Sequence, residues 1–418
     1  MTNLNSFIQE HGLNAFKKLA YYHTSKYDFS CVLDSCELDT GIHQGRYEFL
    51  AAYGAKKVFK NLEELEKTEQ DSDWVFGIIG YDLKNRFEKL SSQNPDIIKT
   101  PEVTFFVPEI VLSIDKNQIA TLLKGELAQT FWNNKRKLRP FKINPEKNPI
   151  TKDTYIENIN RIQDLIKQGE VYELNYCIPH TSDYLEFSPI DFQLSLIDKS
   201  PVPMAAYFSA NSLHLCGASM ERYLAKNKSV LLSQPIKGTI RKGETLEEDQ
   251  ALISELVNSE KDRAENVMIV DLVRNDLNKI CQTSTVKVTE LFEIYSYLQV
   301  HQMISTIEGK LKPKTTLTDI LKATFPMGSM TGAPKISAMK HIDQLESFKR
   351  GWYSGSVGYI DPNGDFDFNV VIRSLLCDKD EKTLNYCAGG AITIDSIPEK
   401  EWDEIQVKTK AISEVLNN

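Results

Sequence analysis

The chain has 418 residues, of which 41% are hydrophobic and 26% are charged, and its net charge is −9 at pH 7. This length accommodates two domains or one large fold with subdomains. The negative charge argues against nucleic acid as the main partner, because phosphate binding requires a basic surface. No run of ~18 apolar residues is present to span a membrane, and residues 1–22 hold no apolar stretch long enough for a signal peptide.

Cysteine spacing indicates neither a metal site nor a disulfide framework. None of the seven cysteines belongs to a Cys-x-x-Cys pair, the spacing typical of structural zinc sites. A reduced, soluble protein of the cytoplasm is therefore predicted, with neither nucleic acid nor a membrane as its partner.

The first third of the chain is predicted to mix short helices and strands. Residues 30–35 and 74–81 are apolar runs that end in turn residues, which is typical of buried strands. Residues 133–149 are polar, basic and contain proline, so they form the best boundary between subdomains. We therefore predict an N-terminal region over residues 1–145 and a second region over residues 146–418.

A helix is predicted immediately after this boundary. Thr151 suits its N-cap position, and the pattern stops at Gly169. Its apolar positions recur at helical spacing and are Tyr155, Ile159, Ile162 and Ile166. Strands and long helices alternate irregularly afterwards, so a Rossmann-type series of βαβ units is not predicted.

Lys237 lies where a predicted strand meets a glycine turn, in the segment Gln-Pro-Ile-Lys-Gly-Thr at residues 234–239. A lysine in solvent is protonated at neutral pH, because its pKa is about 10.4. A nucleophilic Lys237 would need a site that lowers this pKa by about 2 to 3, through desolvation or a nearby cation. These six residues alone fit a surface lysine beside a turn better.

One predicted helix, over residues 261–276, carries a carboxylate on its apolar side. The apolar stripe consists of Met268, Ile269, Leu272 and Val273. At about 100° per residue, Glu265 points into the same sector. A carboxylate directed at a core is costly unless it is paired or binds a metal, so both a buried salt bridge and a metal ligand are open interpretations.

The final helix shows a similar arrangement. Glu401, Glu404 and Lys408 recur at spacings of three and four residues and border an apolar stripe. Such charges often form a solvated ion pair worth about 0.5 kcal/mol. Alternatively, two half-buried carboxylates on separate helices suit Mg²⁺, with water and a substrate oxyanion as its remaining ligands. The magnesium hypothesis requires that the two helices meet.

Two glycine-containing loops and an arginine suggest an anion-binding site. Residues 325–335 depart from the Walker pattern, and Pro334 suits the first position of the next helix, so a carboxylate or a structural turn is favoured over ATP. Residues 386–391 form a predicted loop whose glycines allow close approach of a ligand. Arg373 suits bidentate capture of a carboxylate, although a buried ion pair fits equally well. His301 by itself fits a hydrogen-bonded core position.

Together these segments resemble the chorismate-binding enzyme family, which includes anthranilate, aminodeoxychorismate, isochorismate and salicylate synthases. The resemblance runs from about Thr151 to Ala411, whereas residues 1–145 resemble the family only weakly. It rests on Lys-Asp-Arg-Ala-Glu-Asn at 261–266 with Asp-Leu-Val-Arg-Asn-Asp at 271–276, Gly-Ser-Met-Thr-Gly-Ala-Pro-Lys at 328–335, Gly-Trp-Tyr-Ser-Gly-Ser-Val-Gly-Tyr at 351–359, Ala-Gly-Gly at 388–390 with Asp-Ser at 395–396, and Glu-Trp-Asp-Glu at 401–404 with Lys408.

The resemblance implies an α+β fold with a large two-subdomain β-sandwich core flanked by helices. It also implies that Glu265 and Glu404 bind Mg²⁺, and that Glu221 is the general acid that assists departure of the ring 4-hydroxyl of chorismate. The implied substrate-binding residues are Gly238, Thr239, His301, Tyr353, Arg373, Gly389, Gly390 and Lys408.

Within the family, Lys237 matches the lysine of the aminodeoxychorismate branch, where the anthranilate and isochorismate branches usually carry alanine. The match implies that the Lys237 amine adds to C2 of chorismate as the 4-hydroxyl leaves. Ammonia then attacks C4 and expels the lysine, which gives 4-amino-4-deoxychorismate for 4-aminobenzoate and folate synthesis. Glu173 stands where the water-adding branches carry a general-base lysine, which counts against isochorismate and salicylate synthesis; aminating branches more often carry glutamine there.

The leading interpretation is therefore an aminodeoxychorismate synthase component I. The alternative within the family is anthranilate synthase component I, and a non-catalytic chorismate-binding regulator is a third hypothesis. The sequence contains no Gly-x-Cys-x-Gly nucleophile turn. Ammonia is therefore predicted to come from a separate glutamine amidotransferase subunit, or from free ammonium.

Overall fold

The computed structural model describes residues 4–38, 47–67, 72–132, 139–298 and 300–417. Within these ranges the chain forms two large antiparallel sheets with helices on their outer faces. No helix of the described ranges combines the length and the apolar character that crossing a membrane requires.

The strands lie in two sheets. In chain order they are β1 (Phe29–Asp34), β2 (Phe49–Tyr53), β3 (Lys57–Phe59), β4 (Val75–Ile79), β5 (Val103–Val107), β6 (Ile110–Ile114), β7 (Ala120–Lys124), β8 (Lys142–Ile143), β9 (Glu173–Glu186), β10 (Met204–Ala210), β11 (Leu213–Ser219), β12 (Arg222–Asn227), β13 (Val230–Gln234), β14 (Ile236–Arg241), β15 (Lys287–Ser296), β16 (Val300–Lys310), β17 (Gly332–Ala333), β18 (Ser356–Ile360), β19 (Phe366–Asn369), β20 (Ser374–Asp378) and β21 (Thr383–Ile392). The first sheet has the order β17-β9-β21-β20-β11-β10-β1-β2-β6-β7, with β8 on β9. The second has the order β14-β16-β13-β12-β19-β18-β4-β5-β3, with β15 on β16.

The helices are α1 (Leu4–His11), α2 (Leu13–His23), α3 (Leu62–Glu66), α4 (Lys84–Phe87), α5 (Lys152–Lys167), α6 (Pro189–Lys199), α7 (Leu246–Asn258), α8 (Glu260–Ile280), α9 (Leu317–Thr324), α10 (Lys335–Leu345) and α11 (Pro398–Leu416). Helix α8 packs on β14 and β16 of the second sheet, whereas α11 packs on β21 of the first sheet and on α5 and α6. The two helices that carry the predicted metal ligands are therefore attached to different sheets.

The sheets pack face to face around an apolar core, which confirms the predicted β-sandwich. Phe106 of the second sheet and Phe208 of the first have ring centroids 6.1 Å apart. Trp352 packs edge-on against Phe208 and is fully buried. Burial of each such side chain contributes about 1.5–3 kcal/mol, so this layer holds the two sheets together.

Strands from both sides of residue 145 belong to each sheet. The N-terminal segment supplies β1, β2, β6 and β7 to the first sheet and β3, β4 and β5 to the second. Side chains from both predicted regions, 1–145 and 146–418, pack in the same apolar clusters, so the two regions share one core. The predicted strands at 30–35 and 74–81 are confirmed as β1 and β4.

The helix predicted after the boundary is confirmed as α5. The Thr151 side chain accepts a hydrogen bond from the Thr154 backbone N–H, which satisfies one of the free donors at the start of the helix. The chain leaves the helix at Gly169, whose φ of 80° is easily adopted by glycine. Helix α5 thus ends just before β9, the strand that carries Glu173.

Candidate active site

A cavity of about 300 Å³ lies where the two sheets and helices α8 and α11 meet. It brings together side chains from β14, α8, β21 and α11, which are far apart in the sequence. Of the predicted site residues, those that line it are Glu221, Lys237, Gly238, Thr239, Glu265, Tyr353, Arg373, Gly389, Glu404 and Lys408. The convergence of the two carboxylate-bearing helices, which the magnesium hypothesis required, is therefore present.

Lys237 reaches the cavity from an irregular part of β14. The register of β14 against β16 shifts between Ile236 and Thr239, and Gly238 has a φ of 91°. Bulges of this kind redirect a side chain, and Lys237 is buried whereas Thr239 is exposed at the cavity mouth. A Cβ on Gly238 would lie 3.1 Å from both Asp262 and Leu256, so glycine allows β14 to pack closely against the neighbouring helices.

The amine of Lys237 is paired with a carboxylate. Its Nζ lies 2.9 Å from Glu173 Oε1. Burial would lower the pKa of Lys237, but the nearby charges of Glu173, Glu265 and Glu221 outweigh it and raise this pKa above its ordinary value. The lowered pKa that a nucleophilic Lys237 would need is therefore not found, because the neighbours of the amine are anionic.

Glu221 lies in the turn between β11 and β12 and is 5% exposed. The Ser329 hydroxyl donates a 2.6 Å hydrogen bond to its Oε1. Burial raises the pKa of Glu221 to about 7, although Ser329 and Lys237 act in the opposite direction. A carboxyl group that holds its proton near neutral pH is suited to act as a general acid.

Glu265 faces the cavity from α8 with its carboxyl group largely shielded from solvent. Burial, with the charge of Glu173, raises the pKa of Glu265 to about 7 despite the opposing charge of Lys237. Its buried Oε1 accepts no hydrogen bond. The buried side of α8 is turned slightly from the predicted stripe: Asn266 is buried, and Met268 is only half-buried.

On α11, Glu401 is buried and Glu404 has a side chain that is 48% exposed. Lys261 Nζ lies 3.3 Å from Glu401 Oε1 and 3.8 Å from Glu265 Oε1. A cation thus already stands between carboxylates of α8 and α11. The predicted pair of Glu404 with Lys408 is confirmed at 2.5 Å.

The carboxylates suit a divalent cation that takes most of its ligands from elsewhere. The described residues hold no group of three or more His, Cys, Asp or Glu side chains that could bind a metal by themselves. Mg²⁺ often uses one or two protein carboxylates and retains water or substrate oxygens. The hydrogen-bond-free Oε1 of Glu265 and the partly exposed Glu404 on the opposite wall fit that type of site.

Arg373 and Lys408 provide positive charge close to Glu404, with which Lys408 is paired. Arg373 follows β19 with a φ of 50°, and its guanidinium donates a 2.9 Å hydrogen bond to the Lys408 backbone carbonyl. Lys408 Nζ donates a 2.8 Å bond to the Gly389 carbonyl. No carboxylate of the described residues forms an ion pair with Arg373 within 4.0 Å, so its predicted alternative of a buried ion pair is not found.

Gly389 and Gly390 lie inside β21 and not in a loop, contrary to the prediction. They pair with Cys177 and Tyr176 of β9. A Cβ on Gly389 would lie 2.4 Å from Cys177 Sγ, so the glycine is required by close strand packing. Gly390 does not line the cavity itself, but a Cβ there would lie 3.2 Å from Glu401 Oε2.

His301 does not line the cavity, so the structure does not place it at the predicted substrate site. Its ring is fully buried and lies 2.7 Å from Ser296 Oγ and 2.8 Å from Asp249 Oδ1. The neighbouring residue Gln302 lines the cavity instead, because successive residues of a strand point to opposite sides.

The loop at 325–335 connects α9 to α10. Helix α10 begins at Lys335, one residue later than the position predicted for Pro334. The Lys335 amine is paired with Asp276 of α8 and donates to the Thr324 carbonyl. The loop contributes Ser329 and Met330 to the cavity wall.

Sequence reasoning missed Ser329 as the partner of Glu221, Lys261 as the bridge between the helices, and the contact of Glu173 with Lys237. Ser329 and Lys261 belong to segments that carry the resemblance to the family, yet nothing in their spacing indicates these contacts. The resemblance points to Glu173 only as the residue that stands where the water-adding branches carry a lysine, not as a partner of Lys237.

Comparison with known proteins identifies clear relatives. The model of the family described as chorismate binding enzyme matches residues 20–414. Aminodeoxychorismate synthase, chloroplastic, of Arabidopsis thaliana is 34% identical to this chain over an alignment of 425 residues. The alignment covers 93% of this chain and 45% of the relative. Aminodeoxychorismate synthase component 1 of Bacillus subtilis (strain 168) is 31% identical over 381 residues, which cover 86% of this chain and 80% of the relative. The chain thus spans about half the length of the Arabidopsis relative.

A solved structure is similar over most of the fold. Anthranilate synthase component I from Streptococcus pneumoniae TIGR4 superimposes with a TM-score of 0.76 at 26% sequence identity, over 90% of this chain and 94% of that chain. Relatives of both names are therefore similar to this chain, and the residues of the cavity must be used to choose between the two reactions.

Proposed function

Because this chain belongs to the family of chorismate-binding enzymes, we propose that its cavity binds chorismate and exchanges the 4-hydroxyl for an amino group. The product would be 4-amino-4-deoxychorismate, and the chain would act as aminodeoxychorismate synthase component I. One observation carries this choice: the buried amine of Lys237 and the buried carboxyl of Glu221 line the same cavity.

The binding mode follows from charge. Chorismate is a dicarboxylate, and the cavity offers the guanidinium of Arg373 and the amine of Lys408. The phenolic Tyr353, which is buried, lines the same wall. Bidentate or charge-assisted hydrogen bonds from such groups hold a carboxylate in a fixed orientation. We propose that they position the ring so that Lys237 and Glu221 face its reacting atoms.

The chemistry is a substitution with two acid–base groups. Glu221 holds a proton near neutral pH, since its pKa is about 7, and it donates this proton to the departing 4-hydroxyl, which leaves as water. The neutral amine of Lys237 forms a bond to C2 as the ring double bonds shift. Ammonia then attacks C4 and the C2–N bond breaks, so that Lys237 is released and the ring regains its original double bonds.

A magnesium ion would be held by Glu265 and Glu404. The hydrogen-bond-free Oε1 of Glu265 supports this assignment. When bound, Mg²⁺ would neutralise and polarise one substrate carboxylate. Lys261, which now lies near Glu265, would have to move aside. Lys408, which is paired with Glu404, would have to leave that carboxylate, and together with Arg373 it would meet the other charge of the substrate.

Ammonia is proposed to come from a separate glutamine amidotransferase subunit. Within these 418 residues there is no Gly-x-Cys-x-Gly turn, and the Bacillus subtilis relative is named component 1. All seven cysteines are unpaired thiols, as expected in a reducing compartment. We therefore propose that the enzyme works in the cytoplasm.

Anthranilate synthase component I is the second candidate, supported by the similarity to the Streptococcus pneumoniae structure. That reaction would also release pyruvate. Incubation of the protein with chorismate, Mg²⁺ and ammonium, followed by mass spectrometry of the products, separates the two. We expect 4-amino-4-deoxychorismate without pyruvate. Anthranilate as the sole product would overturn the proposal, and chorismate that binds but is never consumed would indicate a regulator.

A further inference from the structure

Glu173 lies directly behind Lys237, at the first position of β9. The Glu173 side chain is 1% exposed. In the pairing of β9 with β17, Glu173 lies opposite Ala333. A Cβ on Gly332 would lie 2.1 Å from the Glu173 carbonyl, so two strands of the first sheet are packed tightly at this point. Lys237 belongs to the second sheet. The contact between Glu173 and Lys237 therefore joins the two sheets beneath the cavity.

The two oxygens of Glu173 differ in their surroundings. Oε1 accepts a hydrogen bond from the Lys237 amine at 2.9 Å. Oε2 is buried and has no hydrogen-bond partner. A buried carboxylate oxygen without a donor is costly. The geometry thus places a group that can take up a proton within hydrogen-bond distance of the proposed nucleophile.

Several acidic groups face Lys237, but only one contacts it among the described residues. Glu173 approaches from β9, Glu265 from α8 and Glu221 from the turn before β12. Glu404 of α11 also senses the charge of Lys237. Glu173 alone lies within 4.0 Å of the amine, whereas Glu221 is bonded to Ser329. Glu173, which contacts the Lys237 amine, and Glu221, the proposed general acid, are therefore separate groups on different elements.

We propose that Glu173 positions Lys237 and accepts its proton, a role that rests on the proposed function. The ammonium of Lys237 transfers one proton to the Glu173 carboxylate, which gives a neutral amine and a neutral carboxylic acid. The amine lone pair forms the N–C2 bond, the ring electrons shift, and the C4–O bond breaks as Glu221 protonates the departing oxygen. When ammonia expels the lysine, the released amine recovers its proton from Glu173.

This internal transfer predicts a distinctive pH dependence. Because the proton moves within the pair, the step does not require Lys237 to lose its proton to solvent. In the Glu173→Gln variant the amine must be deprotonated by solvent. Relative to wild type, in which Glu221 loses its proton over the same range, its rate should then rise about 10-fold per pH unit until Lys237 is neutral.

The experiment measures kcat and KM for chorismate between pH 6.5 and 9.5, at saturating Mg²⁺ and a constant concentration of free NH₃, with the product identified by mass spectrometry. For Glu173→Gln we expect a loss in kcat of about 100-fold at pH 7 that shrinks as pH rises, with KM changed by less than about threefold. For Glu173→Asp, which keeps the carboxylate, we expect at least about 10-fold recovery at pH 7 relative to Gln.

Two outcomes would overturn the role of Glu173 while leaving the reaction intact. One is a Glu173→Gln profile that parallels the wild-type profile at every pH, since a purely structural effect reduces the rate by a constant factor. The other is a folded Glu173→Asp variant that is as slow as Glu173→Gln. A wild-type enzyme that yields anthranilate would instead overturn the proposed function, so the two failures are distinguishable.

Discussion

The Ser329 hydroxyl donates a 2.6 Å hydrogen bond to Glu221 Oε1, across 108 residues of sequence. The bond ties the loop that precedes β17 to the turn between β11 and β12. It fixes the direction of the Glu221 carboxyl group. Because burial raises the pKa of Glu221 to about 7, this residue is oriented and keeps its proton on about half of the molecules at pH 7.

Replacement of Lys237 by alanine should abolish amination while chorismate binding survives, because the residue supplies the nucleophile and not the main substrate charge contacts. We expect kcat to fall at least about 10³-fold. Product formation by mass spectrometry and chorismate affinity by calorimetry check this expectation. The matched control is Lys310→Ala, an exposed lysine at the end of β16, which should behave as wild type. Wild-type turnover in Lys237→Ala would exclude the covalent mechanism.

Glu221→Gln should remove a free-energy cost of folding that the buried Glu221 carboxylate imposes at high pH. The folded protein holds the Glu221 proton more tightly than the unfolded chain, so this residue's contribution to stability falls as pH rises from about 4.5 to about 7. Above that range the buried carboxylate costs about 3 kcal/mol. The amide of Gln can still accept the Ser329 bond.

We therefore expect urea unfolding to give similar stabilities for Glu221→Gln and wild type at pH 5, and a more stable variant at pH 8. Amination should be lost in this variant at both pH values. A variant whose stability differs from wild type by the same amount at both pH values would contradict the raised pKa of Glu221.

Glu265→Gln should weaken Mg²⁺ binding by at least about 10-fold, because a neutral amide is a poorer ligand for a hard cation. The rise in Tm with added Mg²⁺, measured with and without chorismate, reports this without relying on turnover. Asp271→Asn is the matched control, since Asp271 lies on α8 and pairs at the surface with Arg274. An unchanged Mg²⁺ titration in Glu265→Gln would mean that this carboxylate is not a metal ligand.

Lys408→Met should raise KM for chorismate by about 10- to 100-fold, which corresponds to the loss of one charge-assisted hydrogen bond. A smaller change in kcat is expected, because the contact is present in both the bound substrate and the transition state. Steady-state kinetics check the prediction. Lys410→Met, which removes an exposed lysine 3.9 Å from Glu414 on the same helix, should leave KM unchanged; equal effects of the two substitutions would place Lys408 outside the substrate contacts.

Local sequence signals predicted the elements that depend on nearby residues. The Thr151 cap and the termination at Gly169 were correct, because caps and left-handed turns are decided within a few residues. The spacing of Glu404 and Lys408 likewise predicted an ion pair on one helix face. The Ala-Gly-Gly segment was misread as a loop, because pairing of β21 with strands on both sides stabilises glycines that are unfavourable in an isolated strand.

The sequence by itself indicated which chemical groups line the cavity: Lys237 and Glu221 through the resemblance to the family, and Glu265 and Glu404 through helical periodicity. Only the tertiary structure decided their protonation and pairing, because those depend on charges brought together through space. Lys237 contacts Glu173 across 64 residues of sequence, and that contact gives it an anionic environment that the neighbouring sequence does not indicate. His301, conversely, was assigned to the site by the family resemblance. The alternation of side chains along β16 directs it towards Asp249 instead.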